Sequence, residues 1–444
     1  MTVSYGLPDG WLWTTVGQIS ELVRGVSYAR GQAEGSEGPG LVPVLRGGNI
    51  QRGLVLDADL VYVPRTLVSE DQMVRKGDVV LAMSSGSARV VGKTAQVRSN
   101  WYGAFGAFCA VLRPSAAVDP WYFGAFFQTQ EYRKTISAAS AGININNLRR
   151  EHLLSLPFPL PPRSEQLRIV ARLEALLHEA RRTREALQRI PPLVKRFRQS
   201  VLAAAFRGQL VPQDPRDEPA AALLERIRAE RRQRWVAQGK DLARYVEPSA
   251  LDAVGLGELP AGWVWTTVGE VTQNHDGRRI PVKDSDRKSR QGRYPYYGAS
   301  GIIDHVDDFL FDGDYLLFAE DGANILSRSS PRAFQAHGKF WVNNHAHVLT
   351  TESQIPLAYL QHLLNLSDLA PYTTGTAQPK VTQANMNRIP VPLAQLAAQR
   401  RIVARIEALF AQADAVEAAV ARGLRRLEQF ERSVLARAFR GELV

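Results

Sequence analysis

The chain carries two copies of one framework. Residues 7–17, LPDGWLWTTVG, return at 259–269 as LPAGWVWTTVG, nine of eleven identical at an offset of 252. Residues 195–211, KRFRQSVLAAAFRGQLV, return at 428–444 as EQFERSVLARAFRGELV, eleven of seventeen identical at an offset of 233. A repeat on this scale fixes the architectural unit before any secondary structure is assigned. The second match runs back through Pro157/Pro390 and Pro159/Pro392 to Gly142/Gly375, so the 19-residue difference falls between the matched blocks, in 18–141 and 270–374. Each half is a shared opening, a divergent middle and a shared close, the layout of one scaffold that presents two different surfaces.

The middles are rich in strand signals. LVPVLRGGNI, LVLDADLVYV and GDVVLAM in the first half, and YPYYGASGIIDHV, DYLLFAEDG and KFWVNNHAHVLT in the second, are β-branched and apolar runs punctuated by Gly, Pro and Asp. Each half then has a short helix, WYFGAFFQTQEYRKTI or PLAYLQHLLN, before a polar Gly loop and a Pro-rich exit strand. The closes are helical with heptad stripes. One stripe runs Ile169, Leu173, Leu176, Ala180, Thr183, Leu187, Ile190, Val194, Phe197, Val201, and the other Ile402, Ile406, Leu409, Ala413, Val416, Val420, Gly423, Leu427, Phe430, Val434. Neither stripe is stable facing water, so the two helices are expected to pack on each other as an antiparallel coiled coil about 50 Å long. Pro191 and Pro192 should interrupt the first helix.

The expected fold class is α+β: two similar mixed α/β domains separated by two long helices. The expected divisions are 1–162 and 259–392 for the two recognition modules, 163–211 and 393–444 for the helices, and 212–258 for a charged connector with a helix from Ala220 to Gln238. Lengthening that connector near Ala221 to Arg234 is expected to lengthen the spacing between modules.

The net charge is +11, and most of it lies on the helical segments: 163–211 carries +7 and 396–444 carries +3. Such a balance favours an acidic partner, nucleic acid above all. No apolar run is long enough for a membrane span and the N-terminus lacks a secretory pattern, so the expected location is the cytoplasm. The single cysteine, Cys109, excludes an internal disulfide and a multi-thiolate zinc site.

Tests for chemistry return nothing. GSARVVGKT at 86–94 has five residues between its glycines, where a phosphate-cradling loop has four, and a strand-like run follows it. Asp304, His305, Asp307 and Asp308, or His345 with His347, match no metal-site spacing. No catalytic, cofactor-binding or metal-binding residue is therefore assigned. What remains are polar loops suited to base edges and phosphates. The candidate DNA-binding residues are Arg46, Asn49, Ser85, Arg89, Lys93, Asn144 and Asn146 in the first half. In the second half they are Tyr297, Ser300, Asn324, Arg328, Asn344, His345, Thr376, Gln378 and Lys380.

LPxGWxWTTVG, EQLRIVARLEAL, SVLAxAFRGxLV, the PQDPRDEPAAALLERIRAER that follows it, YYGASGIIDHVDDFLFDGDYLLFAEDGAN and WVNNHAHVL together resemble the DNA specificity subunits of type I restriction-modification systems. The likeness covers nearly the whole chain. It departs from the family at Ala398, where the pattern of PLPPRSEQ at 159–166 would place a glutamate. The resemblance implies that each divergent middle recognises one half of a split DNA site. It implies helices that set the spacing and dock methyltransferase subunits, two per chain, with restriction and translocase subunits as further partners. S-adenosylmethionine, ATP and magnesium would belong to those partners and not to this chain. Two other readings stand beside it: a two-module DNA-binding regulator without enzyme partners, and a nucleotide-using enzyme built on the loop at Gly86.

Overall fold

The computed structural model describes residues 6–51, 53–85, 87, 90–139, 146–248, 251, 256–327, 330–375 and 378–444. The chain forms two compact units, one of residues 1–189 with 420–444 (unit 1) and one of residues 190–419 (unit 2). In unit 1 the opening strand Leu12–Thr15 pairs antiparallel with the exit strand Pro157–Leu160. In unit 2 Val264–Thr267 pairs in the same way with Pro390–Leu393.

Between these ribbons the divergent middles share one topology. Unit 1 has an antiparallel sheet in the order Ser20–Arg24, Cys109–Pro114, Val79–Ala82, Thr94–Gln96. Unit 2 repeats it as Thr272–Asn274, Ala346–Thr351, Tyr315–Ala319, Ala333–Ala336. The central strands Val79–Ala82 and Tyr315–Ala319 are buried along their whole length, which is why they read as unbroken apolar runs. The second sheet also matches: Val61–Pro64, Leu41–Leu45, Ala104–Phe105 in unit 1 and Gly301–Val306, Gln291–Gly298, Lys339–Val342 in unit 2, the last pair parallel in each. Unit 2 adds Phe311–Asp312 at the edge.

Two details differ from the sequence expectation. Of LVLDADLVYV only Val61–Pro64 forms a strand, because Asp59 turns the chain at φ 55° and Asn49 holds the carbonyls of Val55 and Ala58. WYFGAFFQTQEYRKTI gives two helices, Pro120–Phe126 and Gln130–Ala139. The Thr129 hydroxyl accepts the Tyr132 amide at 3.2 Å and starts the second of them.

Three long helices, α1 (Arg163–Gln188), α2 (Ile190–Phe206) and α4 (Leu396–Ala438), carry the shared closes, and a fourth, α3 (Ala220–Ala237), is the connector. The break at Arg189 precedes Pro191 and Pro192, as expected. Within unit 1, Ile169 and Leu173 share a core with Val434 and Ala438, while Arg184 further along α1 meets Glu431 earlier on α4, so the pair runs antiparallel. Within unit 2, Val201 and Phe206 share a core with Ile402 and Ile406, while Arg198 meets Asp414 and Glu417, again antiparallel.

The expected stripe is buried or half-buried at most positions, Ala180, Val194, Ala413 and Val420 included, and fails at four. Ile169, Leu173, Val201, Ile402, Ile406 and Val434 are buried, and Leu176, Leu187, Leu409 and Leu427 are half-buried. Phe197 and Phe430 are each 41% exposed, and Thr183 and Val416 also face outward. The next residues turn inward instead: Arg184 and Glu431 form a two-pronged pair at 2.7 and 2.9 Å, and Arg198 bonds Glu417 at 3.0 Å. The cause is geometric, since a straight helix drifts about 20° per heptad against a 3.5-residue repeat. The repeat offset of 233 maps Arg184 onto Glu417 and Arg198 onto Glu431, so one helix copy supplies both arginines and the other both carboxylates.

The connector helix α3 is not a free spacer. Leu223, Leu224 and Ile227 are buried in the unit 2 core. Arg228 reaches Glu270 at 2.7 Å, and Arg231 and Arg234 reach Glu352 at 3.1 and 2.8 Å. Residues inserted between Ala221 and Arg234 would therefore dislodge a packed helix and would not lengthen a spacing, which corrects the expectation above. The departure at Ala398 has a counterpart nearby. Gln166 Oε1 accepts the amide of Asp119, the N-cap of Pro120–Phe126, at 2.6 Å in unit 1, whereas Gln399 Oε1 is buried without a partner, because the N-cap of the matching helix Leu357–Leu366 in unit 2 is Pro356, which has no N–H.

Candidate functional site

Backbone hydrogen bonds align the two reading edges residue by residue. The Met83 amide bonds the Phe108 carbonyl at 2.8 Å in unit 1, and the Glu320 amide bonds the His345 carbonyl at 2.9 Å in unit 2. The Leu148 amide then bonds Met83 O, as that of Val381 bonds Glu320 O, each at 2.8 Å. Two residues further along the paired strand, Ala110 sits opposite Leu81 as His347 sits opposite Phe318. The same backbone places thus hold Met83, Phe108 and Ala110 in one unit and Glu320, His345 and His347 in the other.

In unit 1 Phe108 lines an open cleft of about 1240 Å³ together with Gly47, Gly48, Ser84, Ser85 and Lys93, among others. The structure therefore brings together three of the expected loops. Arg46 is exposed beside the cleft and donates to the Asp59 carbonyl at 3.1 Å, and Lys93 is exposed. Ser84–Ser85 pairs antiparallel with Asn146–Asn147, which sets Asn146 against Ser85. Asn49 is corrected: it is buried, accepts the Arg46 amide at 2.8 Å and donates to two carbonyls, so it shapes the loop and offers nothing to a ligand. Arg89 and Asn144 lie outside the described residues. Thr94 begins a strand, not a helix, and its hydroxyl is buried against the Phe127 carbonyl at 3.1 Å. The geometry of a phosphate-cradling loop is therefore absent at Lys93–Thr94.

In unit 2 the expected residues also converge. The Asn343 amide bonds the Tyr297 carbonyl at 3.0 Å, placing Tyr297 next to exposed Asn344 and His345. The Tyr297 ring packs on Phe334 and Phe340, and burial pushes its hydroxyl above the ordinary tyrosine value. His345 Nδ1 lies 2.8 Å from Asp321, and Lys380 pairs with Glu320 at 2.9 Å. Ser300 and Gln378 are exposed. Asn324 is half-buried, and its side chain accepts the Ser330 amide at 2.8 Å. Arg328 and Thr376 lie outside the described residues.

Beneath this surface lies an ionic cluster. Buried His347 contacts Asp276 at 2.5 Å and donates to the Val381 carbonyl at 2.8 Å. Arg279 joins Glu320 at 2.6 Å and Asp276 at 3.4 Å. Burial pushes the Glu320 carboxyl up, but hydrogen bonds from Lys380 and Arg279 outweigh it and hold the group below its ordinary value. Burial likewise opposes ionisation of Asp276, and the His347 contact and Val348 amide reverse the balance. The ligand atoms of Asp276, Glu320 and His347 lie within 4.8 Å of one another, a spacing a cation could bridge. Arg279 and Lys380 already neutralise those carboxylates, so the chemistry fits an ion-pair cluster. Asp304 and Asp307 pair with Arg287 and Arg290 at 3.0 and 2.9 Å.

Residues 260–421 match the family model of the type I restriction modification DNA specificity domain. Over 98% of its length the chain is 30% identical to the StySPI specificity subunit, from a type I restriction enzyme of Salmonella potsdam, and covers 90% of it. The chain belongs to this family. The EcoKI specificity subunit of Escherichia coli K12 is likewise 30% identical over 98% of this chain and 90% of that protein. The fold agrees with two solved structures. One, described as showing complex assembly and conformational transition of the type I R-M system, superposes with a TM-score of 0.71 at 17% identity, covering 99% of this chain and 100% of that one. The HsdS subunit of Thermoanaerobacter tengcongensis superposes at 0.57 with 18% identity over 99% of both chains.

In this specificity subunit the sequence reading missed Phe108, which is 73% exposed at the cleft of unit 1. Aligning its run GAFGAFCAVL with FWVNNHAHVL across the two middles would have flagged it, since each ends in the strand that pairs with the central one. Asp276 and Arg279 were also missed, and HDGRR carries no signal that separates them from a turn. Among the described residues no helix is long and apolar enough to cross a membrane.

Proposed function

We propose that each strand-rich module of this specificity subunit reads one half of a split, asymmetric DNA site. The paired helices fix the gap between the halves and dock two methyltransferase subunits, with restriction and translocase subunits as further partners. In this reading the chain is not itself an enzyme. S-adenosylmethionine, ATP and magnesium act in the partners, and the chain works in the cytoplasm. The observation that carries the reading is one sheet order with unlike chemistry at matching places: Met83, Phe108 and Ala110 against Glu320, His345 and His347. Arg46 and Lys93 suit phosphate contacts, while Asn344, His345 and Gln378 suit hydrogen bonds to base edges.

The test is sequencing of methylated adenines in cells that hold this chain with its methyltransferase partner. A motif of two unlike parts around a fixed gap is expected, and one continuous or palindromic motif would overturn the reading. The purified chain with S-adenosylmethionine, ATP and magnesium should neither methylate nor cut DNA. Replacing Leu409 and Leu427 together by Asp should abolish specific methylation and leave weak, salt-sensitive DNA binding.

A further inference from the structure

The turn Gly106–Cys109 fixes its backbone on both sides and holds an aromatic side chain out of the fold. The Gly106 amide donates to the Leu45 carbonyl at 2.9 Å, and the Cys109 amide closes the turn on the Gly106 carbonyl at 2.8 Å. The Phe108 carbonyl in turn accepts the amides of Met83 and Ser84 at 2.8 and 3.3 Å. Phe108 is nevertheless the most exposed Phe, Tyr or Trp among the described residues. A side chain on so fixed a backbone loses little freedom when something packs on it.

Single apolar residues are ordinary on a protein surface, so exposure alone says little. The place of this one says more. The Gly106 and Asn343 amides bond the Leu45 and Tyr297 carbonyls alike, and two residues on stand Phe108 and His345, which accept the Met83 and Glu320 amides. His345 brings a polar ring to that place, bonded to Asp321 at 2.8 Å. Phe108 brings a ring with neither donor nor acceptor. The other exposed residues lining its cleft are Gly48, Gln51, Lys93 and Gln128, none of them apolar. A protein partner needs a continuous apolar patch of several hundred Å², which one ring among such neighbours does not supply. A base pair does offer an apolar target of the right size, the 5-methyl group of thymine in the major groove.

Taking unit 1 as a DNA-recognition module, the reading on which this step rests, we infer that Phe108 recognises the 5-methyl group of a thymine in that module's half-site. The pair is chosen by burying one methyl against the ring and not by a hydrogen bond. Cytosine at the same place presents no methyl and turns its amino group toward a ring that cannot accept from it.

The probe is the complex of the full chain with its methyltransferase partner, titrated with duplexes that carry its methylated motif. The half-site of unit 1 is the half that an exchange of residues 270–374 leaves unchanged. Each thymine of that half, on either strand, is replaced in turn by deoxyuracil, which keeps every hydrogen bond and removes only the methyl. At one position binding should weaken about fourfold, the worth of one buried methyl. Phe108→Ala should bind the thymine and uracil duplexes equally, whereas Phe108→Leu, which keeps an apolar contact, should retain part of the difference. A two-part motif with no uracil-sensitive thymine in this half, or an undiminished uracil penalty in Phe108→Ala, would overturn the inference and leave the reading of the module standing. Binding that ignores the motif in this half would overturn that reading, and the inference with it.

Discussion

Units 1 and 2 share a sheet order but hold their reading edges by opposite means. Unit 2 ties its strand ends with Asp276, His347, Glu320, Arg279 and Lys380, and clamps its entrance through Arg228, Arg231 and Arg234 of α3. Unit 1 has Met83 and Ala110 where unit 2 has Glu320 and His347, and an open cleft. The backbone topology therefore does not depend on the edge chemistry, and that independence lets one fold present two chemically different edges.

The contrast breaks most sharply at α3. Replacing Leu224 and Ile227 together by Asp should cost unit 2 on the order of 5 kcal/mol, because two charges would be buried without partners. Limited proteolysis should then open unit 2 and spare unit 1. A smaller loss, about 3 kcal/mol, is expected for Arg279→Ala, which takes from Glu320 and Asp276 the guanidinium they share and leaves them only Lys380 and His347 as charged or imidazole partners. These carboxyls also give the units different acid sensitivity. Both have folded-state pKa values below their ordinary ones, so their contribution is complete above the ordinary carboxyl range and is lost as the pH falls through the depressed values. Hydrogen exchange should show unit 2 loosening before unit 1 on acidification below about pH 4.

Unit 1 has its own charged link in Arg184–Glu431. Arg184→Ala should cost it about 2 kcal/mol, less than the loss at Arg279 because Glu431 keeps partial access to water. The smallest effects belong to the edges themselves. Phe108→Ala and His345→Ala should each leave thermal unfolding within about 0.5 kcal/mol of the parent. Each should relax methylation at one half of the site only, read as changed base preference in the methylome.

What was legible in the sequence follows from which interactions are local. The repeat was legible because WTTVG and AFRG build the same turns twice, and the helix break was legible because Pro191 and Pro192 act on the adjacent backbone. The helix stripe was legible where Ile169, Leu173, Ile402 and Ile406 meet module cores. It was lost at Arg184 and Arg198, whose partners are more than 200 residues away. The same distance hid α3: its arginines read only as those of a charged connector because Glu270 and Glu352 are far along the chain. Asn49 looked like a ligand-facing polar residue because nothing in a loop sequence tells which carbonyls an amide will meet. The shared order of the middles was legible, but their residue-by-residue match was hidden for a chemical reason, since Met83 and Glu320 share a place in the fold and nothing else.

The most direct test of two specificities on one scaffold is a module exchange. Residues 270–374 are replaced by the matching segment of another specificity subunit, and methylated adenines are sequenced in cells holding the methyltransferase partner. The account predicts that one half of the motif changes while the other half and the gap between them stay as they were. A change in both halves, or in the gap, would contradict it.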